Sequence, residues 1–313
     1  MSHFSDIGFD IKSIDHMKEL FLELKPRSLR SQHGRYIQYL TEEKSGAQLF
    51  WYTEKPSLFG KEELTGISPA FNGKTIQREI DKIKILPPPP YPETTIYLWL
   101  HGDDGEYPLV VDVPDLEIKG KNVKTATSMQ ATLFPNKFEY FENYESFREK
   151  YPVKKATGTV NMVGPSEASP LAAPSGMSLE DALSKIADIA QKVPGDQTTA
   201  QKNMARLIVD FYTTFFKDNG VATPSSEMFV PTGTFPPKKD PNFKPHSDCW
   251  CYGKVISVDK KVNTLTNLEY YHFTMKTYGA TYDVVSGMNK IPHEPQIGSI
   301  IGGRFWICAK LNF

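Results

Sequence analysis

The chain has 313 residues, 39% hydrophobic and 23% charged, with a formal net charge of −1. That composition allows a packed core and about two domains, and it excludes a collagen-like or wholly disordered chain. With 36 basic against 37 acidic residues there is no global electrostatic drive toward nucleic acid or acidic membranes. No stretch approaches the run of about 18 apolar residues that a transmembrane helix needs. The start, MSHFSDIGFDIKS, lacks the basic region and apolar run of a signal peptide. The three cysteines are read as reduced thiols, and the expected location is the cytoplasm, with no membrane partner.

His3–Ile11 is short and apolar and predicts a strand. Ser13 offers an N-cap, and Ile14, Met17, Leu20, Phe21 and Leu24 follow at helical spacing until Pro26 ends the stripe. Gly34–Tyr39 and Ala47–Tyr52 predict a hairpin turning at Ser45-Gly46, and Leu64–Phe71 predicts a further strand. This β–α–β–β–β order, with His3-x-x-x-Ile7-Gly8-Phe9, the Ser13-capped helix, Tyr36-x-x-Tyr39 and Lys44-Ser45-Gly46-Ala47, resembles one module of the glyoxalase/vicinal-oxygen-chelate superfamily. The resemblance covers roughly the first 70 residues. It implies a metal held by a histidine on the first strand and a glutamate on the strand after the turn. His3 fits the first position, but Phe50 stands where the glutamate belongs. Gln48 is a poor substitute and Glu54 lies beyond the strand position. A scaffold without metal or cofactor is therefore expected.

PPPPYP, at 87–92, predicts a polyproline II connector. Thr94–Leu100, Tyr107–Val113, Thr127–Leu133 and Lys137–Phe141 predict strands, and Asn143 caps a short helix to Lys150. Ala156–Met177 reads as a linker. Helices starting at Ser178 and spanning Thr199–Lys217 form an αα-hairpin with unpartnered apolar stripes.

The last quarter carries four strand-like runs: Cys249–Val258, Leu268–Thr277, Ala280–Ser286 and Ser299–Leu311. Met228–Thr234 offers a fifth, and Gly253 and Gly302-Gly303 suit sharp bends. This set resembles an OB-fold. The combination also resembles a bacterial family that joins a glyoxalase-like start to an OB-like barrel. The matching stretches are His3–Phe9, Tyr107–Asp115 and Gly303–Trp306. That resemblance implies architecture and no activity.

Catalytic signatures are missing: there is no G-x-S-x-G elbow and no G-x-x-x-x-G-K-[ST] or G-x-G-x-x-G loop. His246-x-x-Cys249-x-Cys251, with Cys308, has soft ligands at a spacing wrong for a zinc knuckle or ribbon. Asp103, Asp104 and Glu106 read as a solvated acidic turn. In the second run of the barrel, Tyr271, Phe273 and Met275 share a core face. Tyr270, His272 and Lys276 share the other, where with Lys254 they present aromatic and cationic groups suited to stacking single-stranded nucleic acid.

The expectation is therefore an α+β protein. Residues 1–155 form a glyoxalase-like βαβββ domain, 156–225 a linker and central αα-hairpin, and 226–313 an OB-like β-barrel. The expected function is non-enzymatic binding or assembly, with no catalytic or metal-ligating residues. Contact with a protein partner or a second copy would run through the barrel or the helical hairpin. The alternatives are single-stranded nucleic-acid binding through Tyr270, His272, Lys254 and Lys276, and a small-ligand-binding or metal-dependent glyoxalase-like enzyme.

Overall fold

The computed structural model describes residues 3–55, 61–73, 78–86, 94–102, 105–115, 123–152, 224–234, 243–277, 280–291 and 293–313. The expected linker, polyproline element and αα-hairpin lie outside them. The described chain is mostly β, with thirteen strands and two α-helices among the described residues. This corrects the α+β expectation. Residues 3–7 make a 3-10 turn instead of a first strand, because Asp6 is drawn inward by hydrogen bonds from the Gly287 amide (3.0 Å) and the Lys290 ammonium (2.8 Å). Without that strand no βαβββ module exists.

Helix α1 (Ile14–Leu24) forms where its stripe predicts, with the Ser13 hydroxyl accepting from the His16 amide at 3.0 Å. Four antiparallel strands follow in simple order: β1 (Leu29–His33), β2 (Tyr36–Glu42), β3 (Ala47–Glu54) and β4 (Glu63–Phe71). Both faces of this small sheet are covered. On one, Phe21 of α1 packs against Tyr39 and Trp51 at centroid distances of 5.5 and 5.4 Å. The other faces the larger sheet.

The larger sheet joins both ends of the chain. Its strands are β5 (Arg78–Ile85), β6 (Thr94–Gly102), β7 (Gly105–Val113), β8 (Ser128–Phe141), β9 (Met228–Val230), β10 (Asp248–Asn263), β11 (Leu268–Thr277), β12 (Ala280–Gly287) and β13 (Ile300–Asn312). Their order is β11-β12-β8-β5-β6-β7-β13-β10-β9, with further pairings β11–β10 and β8–β13. The strands predicted from the last quarter all form, but they do not make a self-contained OB-like barrel. β8 inserts between β12 and β13, pairing parallel to the first and antiparallel to the second along nearly its whole length. The two runs predicted over Thr127–Phe141 are this single strand, bulged at Asn136. The short helix α2 (Tyr144–Lys150) follows, with Asn143 and Ser146 forming a capping box.

β10 changes partners midway. A bulge at Ile256 bends it, so that its first half pairs with β13 and β9 and its second half with β11. On β13, Gly303 at φ 130 supplies the other bend. One core lies inside the curved sheet and includes Tyr271, Phe273, Met275, Ile301, Phe305 and the buried Cys249 and Cys251. A second core lies between the sheets, where Phe134, Tyr270, Val285 and Cys308 meet Phe50, Tyr52 and Phe71. Each large side chain removed from water in these cores contributes roughly 1.5–3 kcal/mol.

Candidate functional site

The four residues expected to bind nucleic acid separate. Tyr270 and His272 do share the outer face of β11, but that face is roofed by the small sheet: Tyr270 is 0% and His272 3% exposed. The Tyr270 hydroxyl donates to Ser45 Oγ at 2.8 Å, and burial pushes its pKa up. Neither ring presents a face for stacking a base. Lys254 and Lys276 remain exposed, directly opposite each other on β10 and β11.

Beneath the roof a polar row crosses the larger sheet. His272 Nε2 lies 2.7 Å from Asp283 Oδ1. Asp283 pairs with Thr132, Thr132 with Cys308, and Cys308 with Asp112. At the far end Asp112 accepts hydrogen bonds from Thr95 and from the Trp306 indole, each at 2.7 Å, and from Ser247. At the near end satisfaction is incomplete. His272 Nδ1 and Asp283 Oδ2 lack hydrogen-bond partners, and the nearest carboxylate to Nδ1 is Asp259 at 3.6 Å. The Phe71 ring covers His272 at a centroid distance of 4.7 Å.

Over the middle of this row the two sheets part and leave a cleft of about 230 Å³. Gln38, Leu40, Glu42, Gln48, Phe50 and Ala70 line it from the small sheet, all on the face opposite α1. Gln130, Thr132, Cys308 and Lys310 line it from β8 and β13, and Pro114 and Asp115 from the end of β7. Apolar and polar side chains are mixed along the lining: Gln38, Gln48 and Thr132 are buried with Phe50 and Ala70, and Lys310 is exposed. Gln48 donates to Glu42 at 2.7 Å. Gln130 Nε2 is buried without a hydrogen-bond acceptor, and Lys310 is exposed with no carboxylate within ion-pair distance among the described residues. A cleft of this size and lining suits a small molecule or a single side chain with oxygen acceptors at its margin.

Beside the cleft the sheets are sealed. Glu43 accepts from the Ser45 amide at 2.6 Å and from the Thr264 amide and hydroxyl at 3.0 and 2.5 Å, besides the Ser45 hydroxyl. Burial pushes its carboxyl up, but these four donors outweigh it and hold the pKa below its ordinary value. Close approach completes the seam. A Cβ at Gly8, whose φ is 74, would lie 2.8 Å from Asn263 Cβ and 2.9 Å from the Leu268 carbonyl.

The other residue sets singled out by sequence are dispersed. His3 stacks on Trp306 at 5.4 Å and lies 3.2 Å from Asp6. Cys249 and Cys251 point into the inner core, where burial pushes both thiols up. Cys308 lies between the sheets, and His246 faces Asp248 at 3.3 Å. Among the described residues no group of three or more His, Cys, Asp or Glu is placed to hold a metal ion. Asp103 and Asp104 lie outside the described residues. No helix among the described residues is long and apolar enough to cross a membrane.

The alternation Gln38-x-Leu40-x-Glu42 and Gln48-x-Phe50 puts these cleft residues on one face of a hairpin that the sequence does predict. Only the packing of that face against β8 and β13 makes it a cleft. Comparison of the chain with protein-family models, curated proteins and solved structures finds no match in any of the three, so nothing there identifies a glyoxalase-like or OB-like module.

Proposed function

We propose that the protein is a binding protein that takes its ligand in the cleft between the two sheets. The observation that carries this reading is the cleft itself. Over the rest of the contact large side chains such as Phe71, Phe134 and Tyr270 fill the space between the facing sheets, whereas here side chains from both sheets border open volume. The exposed Lys310 ammonium, which has no carboxylate partner among the described residues, calls for an oxygen acceptor, and Phe50, Leu40 and Ala70 provide apolar contact. None of the lining residues is a histidine, and Cys308 Sγ lies 3.8 Å from the Pro69 carbonyl. A nucleic-acid ligand is disfavoured by the burial of Tyr270 and His272.

Thermal unfolding of the full chain against a panel of free amino acids, short peptides and small carboxylates tests the proposal. A ligand present at about 100 times its Kd stabilises the folded state by about 2.7 kcal/mol. Ala70→Leu, which fills the cleft from a buried position, is expected to fold and to lose that stabilisation. A panel in which nothing raises the Tm, or a ligand that stabilises Ala70→Leu as fully as the parent, would sink the reading.

A further inference from the structure

Leu29, Arg30 and Ser31 all border the cleft. Successive strand residues point to opposite faces, so a cleft touched by all three runs along the backbone edge of β1. Among the described residues β1 pairs with β2 alone. The turn between them is the two residues Gly34, at φ 63, and Arg35. Two-residue hairpins close on a hydrogen-bonded pair, here His33 with Tyr36. Counting back by twos, Ser31 and Leu29 bond to Gln38 and Leu40, and Arg30 and Gln32 turn their N–H and C=O groups outward. Neither has a backbone partner on that side among the described residues.

We infer that an extended peptide adds antiparallel to β1, sending an apolar side chain into the cleft and an acidic one alongside Arg30. This rests on the cleft being a binding site and names its ligand. A residue placed opposite Arg30 in an added strand projects from the face that Arg30 occupies with Tyr39. The Arg30 guanidinium bonds the Gln32 side-chain oxygen at 2.9 Å and meets no carboxylate among the described residues. An opposite charge directly across the pair is the favoured neighbour. The residues on either side of it project to the cleft face, against Leu29, Leu40 and Phe50. Sheet edges are ordinarily blunted by charge and short length. β1 is five residues long and carries the Arg30 charge, yet Leu29, 65% exposed at its head, gives an incoming strand apolar surface.

The test is fluorescence anisotropy of the full chain with a pool of labelled hexapeptides. Each carries a central aspartate flanked by valine, isoleucine or leucine, with threonines at the ends. At least one member is expected to bind saturably. N-methylation of its aspartate amide, which removes a strand hydrogen bond, is expected to weaken binding about tenfold or more. Arg30 is exposed, so Arg30→Glu leaves folding intact. It is expected to weaken the aspartate peptide and to favour the same peptide carrying lysine. Binding that ignores N-methylation, or no binder in the pool, overturns strand addition. If small molecules still stabilise the parent and not Ala70→Leu, the cleft stands as a binding site and only its ligand is wrong. If nothing stabilises the parent and no peptide binds, both readings fail.

Discussion

The Glu43 seam and the cleft lie side by side on the same β2–β3 hairpin, and the fold treats them in opposite ways. At the seam a carboxylate is taken out of water and given four donors from two hairpins far apart in sequence. At the cleft, Glu42 and Gln48 satisfy each other, and across the gap Gln130 Nε2 is left without a hydrogen-bond partner. Unpaired buried polar groups cost stability, so sheets closed everywhere like the seam would be the more stable arrangement. The seam holds the sheets at a fixed spacing, and that spacing keeps the cleft open.

The largest effect that would break this comparison lies at the buried pair beneath the roof. Asp283→Ala leaves His272 without its only close hydrogen-bond partner at 3% exposure. The lost hydrogen bond and the imidazole nitrogen left unsatisfied predict a loss of up to about 3 kcal/mol in urea unfolding. A change below about 1 kcal/mol would show that the pair is dispensable.

Glu43→Gln comes next. It keeps the shape but removes the charge and replaces one accepting oxygen by an NH2 that cannot accept from the two donors there, with an expected loss of about 1.5–3 kcal/mol at neutral pH. The pH dependence has a definite sign. The folded pKa of Glu43 is depressed, so its contribution is fully present above its ordinary value of 4.5 and is lost as pH falls through the lower folded value. Parent and variant stabilities should therefore converge in acid. A difference that persists unchanged to pH values well below 4.5 would assign the effect to shape and not to charge.

On the cleft side, Ala70→Leu should change stability by less than about 1 kcal/mol, because the added atoms enter open volume, while abolishing ligand stabilisation. A strongly destabilised Ala70→Leu would mean that the cleft is closed in solution. The smallest expected effect is a gain. Lys254 and Lys276 sit opposite each other, and like charges across a pair repel, so Lys276→Thr should stabilise by about 0.2–1 kcal/mol. The gain should shrink in high salt. A loss would point to favourable contacts made by the Lys276 stem.

Much of the local structure was legible. Ser13 and Asn143 cap the helices they were expected to cap, and the four runs of the last quarter are strands. Period two also assigned the two faces of β11 correctly, since Tyr271, Phe273 and Met275 form core while Tyr270 and His272 point away. The error was in reading the second face as solvent. A strand buried on both faces shows no simple alternation of polarity, and here Tyr270 bonds Ser45 and His272 bonds Asp283 under the roof. The opening segment failed for a related reason. An apolar nonapeptide has no periodicity long enough to separate a strand from a turn, and here the burial of Asp6 against Lys290 decided it.

By itself, then, the sequence determined the hairpins, the caps, the bends at Gly303 and the faces on which side chains lie, because these depend on φ preferences and on spacing along the chain. Tertiary structure alone decided that β8 pairs with β12 and β13, that the small sheet roofs Tyr270 and His272, and that a cleft remains beside Glu43. Each of these joins residues more than a hundred positions apart, where pairing is chosen by whole surfaces fitting together and leaves no mark in any local window of residues.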